Sequence, residues 1–515
     1  MLAILVTAPA TAHAASPVGH FRVAIDSAAA TADYTSTAAR NDVVILQQYQ
    51  APRMKTLKAA NPGVKVLMYK NLSGMTERQP SGFVSGGVAT QDAAAHPEWY
   101  LLNTGGERFT SRYFNWIWIG DVGSPSYQQQ WADNVLGEVA ADGWDGVFMD
   151  DVNPTMSWHY DVSRIAKYPT DAAWQAATRS ALSAIGSRFR AAGKLVIANF
   201  SNSKAFPAVI KDWYGLVDGG LNEQFLKWGT NTTGPESYDP ADYWELQLKQ
   251  MKEAEAAGKY YLGLTPSTAT DRAAARYGYA TMLLAGAGKL QFALHSDYTN
   301  ERWFPEYDYA LGTPLDAETR EAGGVHRRRF SHGLVLVNPT ASAVAVDFGG
   351  AYTGSGLETA TAATLAPRSA LVLTKVGEDE PGDGGAGVPP VQDDPVDTTD
   401  PVQPVDPLPP VQDDPVDTTD PVQPVDPVPP VPAKPRVPPI TRVKPIRITL
   451  TCKLVTACRG TVALKRGDVV VGKRTVKVRA GKSLTISMRE RVRATIAKAR
   501  RLKVKAPHGL RAKLR

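Results

Sequence analysis

Three carboxylates stand where two strand-like runs end. The segment Trp144-Asp145-Gly146-Val147-Phe148-Met149-Asp150-Asp151-Val152 closes on adjacent aspartates, and Gly219-Gly220-Leu221-Asn222-Glu223 supplies a glutamate further along. Side chains alternate along a strand, so Asp150 shares a face with Phe148, and Asp151 is the first residue beyond. Two carboxyl groups facing across a cleft divide the labour of glycosidic bond cleavage. One donates a proton to the leaving oxygen while the other, ionised, attacks the anomeric carbon or activates water. Burial and mutual repulsion set their pKa values apart. The competing reading is structural: the aspartates cap the next turn and Glu223 opens a surface loop. Asp26, Asn199, Thr265 and His295 also stand at or beside strand ends, placed either for substrate hydroxyls or for internal hydrogen bonds. Aromatic residues crowd the long segments between strands, among them Tyr69, Trp116, Trp118, Trp158, Trp228 and Trp303. Flat apolar faces suit sugar rings, so Tyr69 is a substrate-binding candidate, and the loop aromatics Trp158 and Trp228, nearest the carboxylates, are favoured. Trp116 and Trp118 alternate with Ile117 and Ile119, which equally describes a buried strand. No metal-ligand cluster, phosphate loop or nucleophilic Ser or Cys constellation competes, so neither a metal nor an organic cofactor is expected.

The elements that must position these groups follow an eightfold alternation. Strand-like runs at 22–26, 43–47, 64–69, 146–150, 195–199, 216–222, 260–265 and 290–294 are separated by helical patterns such as Tyr127/Trp131/Val135/Val139. Ser124-Pro125 and Asp239-Pro240 each pair a capping side chain with a proline suited to a first helical turn. Glycines at 63, 143, 193, 215, 258 and 288 precede strands three to eight, where helices commonly end. Connections leaving strands three, four and six are long, and those entering strands are short. Eight βα units elaborated on one side predict a (β/α)₈ barrel with its site on the C-terminal face. An open doubly wound sheet would show a glycine-rich phosphate loop after an early strand, and Val23-Ala24-Ile25-Asp26-Ser27 has none. The barrel is expected over 15–324, followed by a small antiparallel β domain, read as a sandwich, over 325–376.

The strand Asp145-Gly146-Val147-Phe148-Met149-Asp150-Asp151, the run Asn61-Pro62-Gly63-Val64-Lys65-Val66-Leu67-Met68-Tyr69 and the late Leu334-Val335-Leu336-Val337-Asn338-Pro339 resemble the hypothetical glycoside hydrolase family 15 of bacterial barrel proteins. They are more distantly similar to the α-amylase and melibiase groups. The resemblance covers about 21–375. It implies a carbohydrate substrate and, because those relatives use an Asp ending strand four as nucleophile, that role for Asp150. Where the α-amylase pattern has a Glu after strand five this chain has Asn199, and where the melibiase pattern has an Asp on strand six it has Glu223. Glu223 is therefore the expected acid/base, with Asp151 competing for either role.

Charge is partitioned along the 515 residues. Residues 433–515 hold 25 Lys/Arg against 2 Asp/Glu, a net +23, and residues 377–432 hold 14 Asp/Glu and no Lys or Arg, a net −14. The remainder carries 32 against 35, so the overall +6 describes none of the three parts. The acidic part contains a tandem repeat, 389–408 and 409–428, differing only by Leu408 and Val428. Rich in Pro and Asp and lacking aromatic residues, 377–439 is expected to be a disordered, extended linker. Beyond it, period-two runs between glycines predict a basic β-sandwich over 440–515, with Cys452 and Cys458 placed for a local disulfide. Its charge suits an anionic cell-surface polymer, and its lack of aromatic residues argues against specific nucleic-acid binding. Residues 1–14 read as a signal peptide, which predicts a secreted protein, either free or wall-associated. No run is long enough for a membrane span, and a monomer is expected. Function divides three ways: a secreted glycoside hydrolase, a non-catalytic glycan-binding protein on the same barrel, or a transferring or isomerising enzyme that excludes water.

Overall fold

The computed structural model describes residues 17–26, 34–157, 165–200, 204–229, 234–286 and 288–377, together with six strands between 446 and 514. Strands Gly19–Val23, Val43–Leu46, Lys65–Asn71, Gly146–Asp150, Leu195–Asn199, Gly219–Asn222, Tyr260–Pro266 and Leu290–His295, numbered one to eight, pair in parallel. Strand eight returns to strand one through Gly19↔Gln291 and His20↔Phe292, closing the barrel. The sheet's inner face is filled by Phe21, Ile45, Leu67, Phe148, Ile197, Leu221 and Leu262. Alternation does the rest: Val147 and Met149 face the helices while Phe148 and then Asp150 face the axis.

The helical spacing is realised in Pro125–Asp142, whose Tyr127, Trp131, Val135 and Val139 are all buried. Gly143, Gly193, Gly258 and Gly288 adopt the left-handed conformation at φ between 65° and 86°, as the stop signals predict, whereas Gly215 stays right-handed at −65°. Ser124 caps its helix by position. At the other expected start Pro240 takes the cap position, because the Asp239 carboxylate is occupied by the Lys204 ammonium at 2.6 and 2.7 Å.

Two strand assignments shift. Strand one lies at Gly19–Val23 rather than 22–26 because His20 and Arg22, polar residues on its outer face, are buried under later loops. The Arg22 guanidinium donates to Thr37 Oγ1 at 2.6 Å and to the Thr299 carbonyl at 2.8 Å, so the outer face is satisfied rather than solvated. Strand six begins at Gly219, and Leu216 to Asp218 form the connection into it.

Behind the barrel lies one six-stranded antiparallel sheet, in the order Thr319–Arg320, His326–Phe330, Gly333–Asn338, Ser369–Lys375, Val344–Gly354, Leu357–Leu365. Val335, Val337, Ala370 and Val372 pack it on helix Arg272–Ala285. Its other face gathers Leu334, Leu336, Val346, Phe348 and Leu373. It is a single sheet rather than the sandwich expected, and it starts before 325. The C-terminal unit, taken by itself, contains two three-stranded antiparallel sheets: Ser483–Met488, Ile446–Cys452, Leu510–Leu514 and Val469–Val478, Cys458–Arg466, Leu502–Lys505. The side chains of Cys452 and Cys458, and with them the expected disulfide, lie outside the described residues, as do the proposed signal peptide and the repeat linker.

Barrel closure between strands four and five depends on a missing side chain. A Cβ on Gly146 would stand 2.1 Å from the Leu195 carbonyl oxygen, part of the backbone it pairs with. Gly146→Ala is therefore expected to abolish soluble folded protein or to cut the melting temperature by more than 10 °C. Gly143→Ala, which strains only a left-handed cap, should cost about 1 kcal/mol. Thermal denaturation of the two variants checks the ordering.

Candidate active site

Strand four delivers Asp150 to the mouth of the barrel, and the residue after it breaks away. Asp151 adopts φ 56°, and its carboxylate is taken by Asn71 Nδ2 at 2.5 Å and Asn153 Nδ2 at 3.4 Å. A left-handed non-glycine residue costs about 1–2 kcal/mol, so the turn must be enforced by these contacts. Leu226, three residues beyond Glu223, is left-handed too, at 63°. Both carboxylate-bearing loops are thus held in conformations the chain would not choose by itself.

Four strand ends meet at Asp150 and Glu223. Tyr69, near the end of strand three, donates its hydroxyl to Asp150 Oδ2. Asn199, ending strand five, places Nδ2 2.9 Å from Asp150 Oδ1 and 3.1 Å from Glu223 Oε2. Tyr298, in the loop after strand eight, donates to Glu223 Oε1 at 2.6 Å. One nitrogen touching both carboxylates fixes their nearest oxygens at about 6 Å apart or less. With Val23, Ile25, Phe148, Leu221 and Leu264 these groups line one cleft.

Electrostatics follows from that crowding. Burial, and then the charge of Glu223, raise the Asp150 carboxyl above its ordinary range, against the hydrogen bonds from Tyr69 and Asn199. Burial followed by the neighbouring carboxylates pushes both tyrosines upward, Tyr69 chiefly by Asp150 and Tyr298 chiefly by Glu223. Both phenols therefore keep their protons and act as donors. Burial lowers His295, with Asp297 opposing.

Of the residues picked from sequence, Asp150, Glu223, Tyr69 and Asn199 share the cleft. Asp151 stands beside it, turned to Asn71. His295 lines a neighbouring cavity, with its ring 4.3 Å from that of Tyr298. Asp26 is exposed past the end of strand one. Trp228 is 41 % exposed with the Lys204 ammonium 4.8 Å from its ring, outside the carboxylate cleft. The Thr265 hydroxyl donates to the Phe225 carbonyl at 3.0 Å and so serves the fold. Trp158 lies outside the described residues. Trp116 is 62 % exposed rather than buried, while Trp118 is half-buried, edge-on to Tyr100. Tyr298 was not among the sequence candidates. It sits in the polar run Asp297-Tyr298-Thr299-Asn300-Glu301-Arg302, and only its place three residues after strand eight could have marked it.

A buried carboxylate with a raised pKa costs stability once it ionises. In the folded state Asp150 ionises later than in the unfolded chain, so its penalty is absent below the ordinary aspartate range and complete above the raised value. Asp150→Asn should raise the unfolding midpoint at pH 8, with the gain shrinking toward zero near pH 3.5. Denaturation of parent and variant across that range measures it, and a destabilised variant at pH 8 would contradict the electrostatic account.

No curated protein matches the chain. Solved structures are similar at low identity. The glycoside hydrolase domain of PelA from Pseudomonas aeruginosa is 12% identical over 48% of this chain and 83% of that one, with a TM-score of 0.33. Amy13B of Eubacterium rectale is 10% identical over 70% and 97%, at 0.41. A β-L-arabinopyranosidase from Geobacillus stearothermophilus is 12% identical over 71% and 97%, at 0.37. The family described as hypothetical glycosyl hydrolase family 15 matches residues 58–334, from the helix before strand three into the second sheet. That is more than half of the 515 residues, and the chain belongs to this glycosyl hydrolase family, whose substrates are carbohydrates.

Proposed function

We propose that the protein hydrolyses O-glycosidic bonds of a poly- or oligosaccharide by a retaining, two-carboxylate mechanism, with Asp150 as nucleophile and Glu223 as acid/base. The observation that carries this reading is the Asn199 amide held between both carboxylates. A nearest-oxygen separation of about 6 Å or less fits the roughly 5–5.5 Å of retaining enzymes better than the roughly 6.5–9.5 Å that leaves room for an attacking water. Asp150 is fixed by two donors on strands, which suits a group that must attack along one line. Glu223 sits at the start of a loop, which suits a group that first gives a proton to the leaving oxygen and then takes one from water. Asp151 is spent on Asn71 and Asn153 and holds the rim. Tyr69 and Asn199 stabilise the nucleophile's charge, and Trp228 offers an exposed face at the rim for a more distant sugar.

The test is release of reducing ends from α- and β-glucans, galactans and amino-sugar polymers by the full chain. Asp150→Asn and Glu223→Gln should each lose at least about 10³-fold in kcat, while Asp151→Asn should keep activity within about tenfold. Asp150 must be ionised to attack, so activity should fall as pH drops through a value above the ordinary aspartate range. Tyr69→Phe, which removes a bond favouring the ionised form, should move that limb to higher pH. Binding throughout the panel without release would instead support the non-catalytic glycan-binding reading.

We propose further that the protein is exported and that its net +23 segment, residues 433–515, attaches it to an anionic cell-surface polymer, with Cys452 and Cys458 bridged. Retention of the full chain on immobilised teichoic acid should be strong at 50 mM salt and lost by about 500 mM. Retention unchanged across that range would exclude electrostatic attachment.

A further inference from the structure

Exposed aromatic rings are confined to one side of the barrel. Among the described residues, six aromatic side chains are more than a third exposed: Tyr49, Tyr113, Phe114, Trp116, Trp228 and Tyr243. Tyr49 follows strand two, and the next three stand in the connection that leaves strand three. Trp228 stands in the connection that leaves strand six, and Tyr243 in the first turn of the helix Ala241–Ala256 that comes after it. All of these positions follow the C-terminal ends of barrel strands, the side on which Asp150 and Glu223 stand. Folding gains nothing from a ring left in water, and apolar side chains gathered on a surface mark a contact site.

The densest group is a hairpin tip, Arg112-Tyr113-Phe114-Asn115-Trp116, whose three aromatic residues are 60, 49 and 62 % exposed. The arms below it are bonded. The Ser111 N–H donates to the Ile117 carbonyl at 2.7 Å and the Ile119 N–H to the Phe109 carbonyl at 3.0 Å, while the Ile117 N–H closes the turn on the Phe114 carbonyl at 2.9 Å. The Phe114 and Trp116 rings meet edge to face with centroids 5.3 Å apart, so each braces the other. At the base, Trp118–Ile119 pairs with Gly74–Met75, and the Gly74 N–H donates to Asn71 Oδ1 at 2.5 Å. Asn71 is also the residue that holds the Asp151 carboxylate and stands opposite Asp150 in the barrel. The tip is therefore tied to the strand ends that present the nucleophile, and rings ordered beforehand bind at a smaller entropic cost.

Order around the barrel brackets the carboxylates. Strands three, four, five and six are successive neighbours, so the hairpin comes first, then Asp150 and Glu223, then Trp228 and Tyr243. The last two form a group of their own, with the Lys204 ammonium 4.8 and 5.7 Å from their rings. Aromatic groups on both sides suit a ligand that continues past the carboxylates in both directions. Arg112 and Asn115, exposed between the rings of the tip, add donors for hydroxyl groups where a purely apolar partner would find none. We propose that the protein cuts internal bonds of a polysaccharide, with Tyr113, Phe114 and Trp116 holding the chain on one side of the carboxylates and Trp228 and Tyr243 on the other. This rests on the glycosidase reading above and narrows its substrate to a polymer.

Three measurements on the full chain test it. On a polysaccharide that the parent cleaves, viscosity should fall well ahead of reducing-end release, with long fragments as the first products. Viscosity that tracks reducing ends, with only mono- or disaccharide released early, overturns internal cleavage. The double variant Phe114→Ala, Trp116→Ala should lower the ratio of kcat/KM on that polymer to kcat/KM on an aryl glycoside at least about tenfold, and Tyr243→Ala should lower it in the same direction. The ratio cancels any loss of folded enzyme, and a ratio unchanged in the double variant overturns the role of the tip. Binding is read without turnover in Asp150→Asn, by co-sedimentation with the panel's insoluble polymers at about 500 mM salt, where the basic segment is screened. The double variant on that background should lose most of the retained fraction. Retention unchanged overturns the platform even from an active glycosidase, and loss of a dimer in its place makes the tip a self-association surface and overturns it too. A parent that is retained through the tip but cleaves no polymer overturns the glycosidase reading and internal cleavage, and leaves the platform standing.

Discussion

Everything in the barrel mouth is arranged around one amide. Asn199 Nδ2 spends both of its hydrogens on carboxylates, one on Asp150 and one on Glu223, at 2.9 and 3.1 Å. Two acidic groups this close repel, and burial makes the repulsion expensive. A neutral double donor reduces that cost without becoming a counterion, so the two carboxyl groups can sit within about 6 Å of each other. A lysine at the same place would add a charge that favours the ionised form of any carboxyl beside it. The tyrosines repeat the principle from either side: Tyr69 and Tyr298 donate hydrogen bonds yet stay neutral because burial, and then the same carboxylates, raise their pKa values. The site is thus built from dipoles, which tune proton affinity without pinning it.

The scaffold below is stiff where this amide needs it. Asn222, immediately before Glu223, donates to Gln247 Oε1 at 2.9 Å, and the same oxygen receives the Leu226 backbone N–H at 3.1 Å. Gln247 Nε2 in turn donates to Asp239 Oδ2 at 2.9 Å, and Asp239 is paired with Lys204. Lys204 and Asp239 are each under 10 % exposed, and removing one partner of such a pair typically costs about 3–5 kcal/mol. A continuous buried network therefore runs from the rim ion pair to both ends of the loop that carries Glu223, and it enforces the left-handed Leu226. This explains why Asp239 is unavailable as a helix cap: its charge is needed to hold the loop.

The fold was legible in the sequence because its signals are collective. Eight apolar runs, the glycines before them and the spacing of Trp131, Val135 and Val139 all describe burial, which many residues vote on together. Strand one misled for the opposite reason. His20 and Arg22 are buried against loops that close over them from residue 296 onward, and no local pattern announces a partner so far along the chain. The site divides in the same way. Asp150 and Asn199 end strands, and parity alone aims Asp150 at the axis. Tyr298 comes from a loop with no periodicity, so only the closed barrel brings it to Glu223. Asp151 was a fair competitor on paper, since adjacency to Asp150 says nothing of a φ of 56° that turns it toward Asn71.

Charge partition completes the argument. Residues 1–376 are close to neutral, so their net charge selects no charged class of carbohydrate. The net charges of −14 and +23 lie in segments that follow the barrel and its second sheet in the sequence. Asp150 and Glu223 act on each other across a buried gap of about 6 Å or less, inside the roughly 8 Å over which physiological salt screens charge. Asn199 and the two tyrosines hold that pair from strands three and five and from the loop after strand eight.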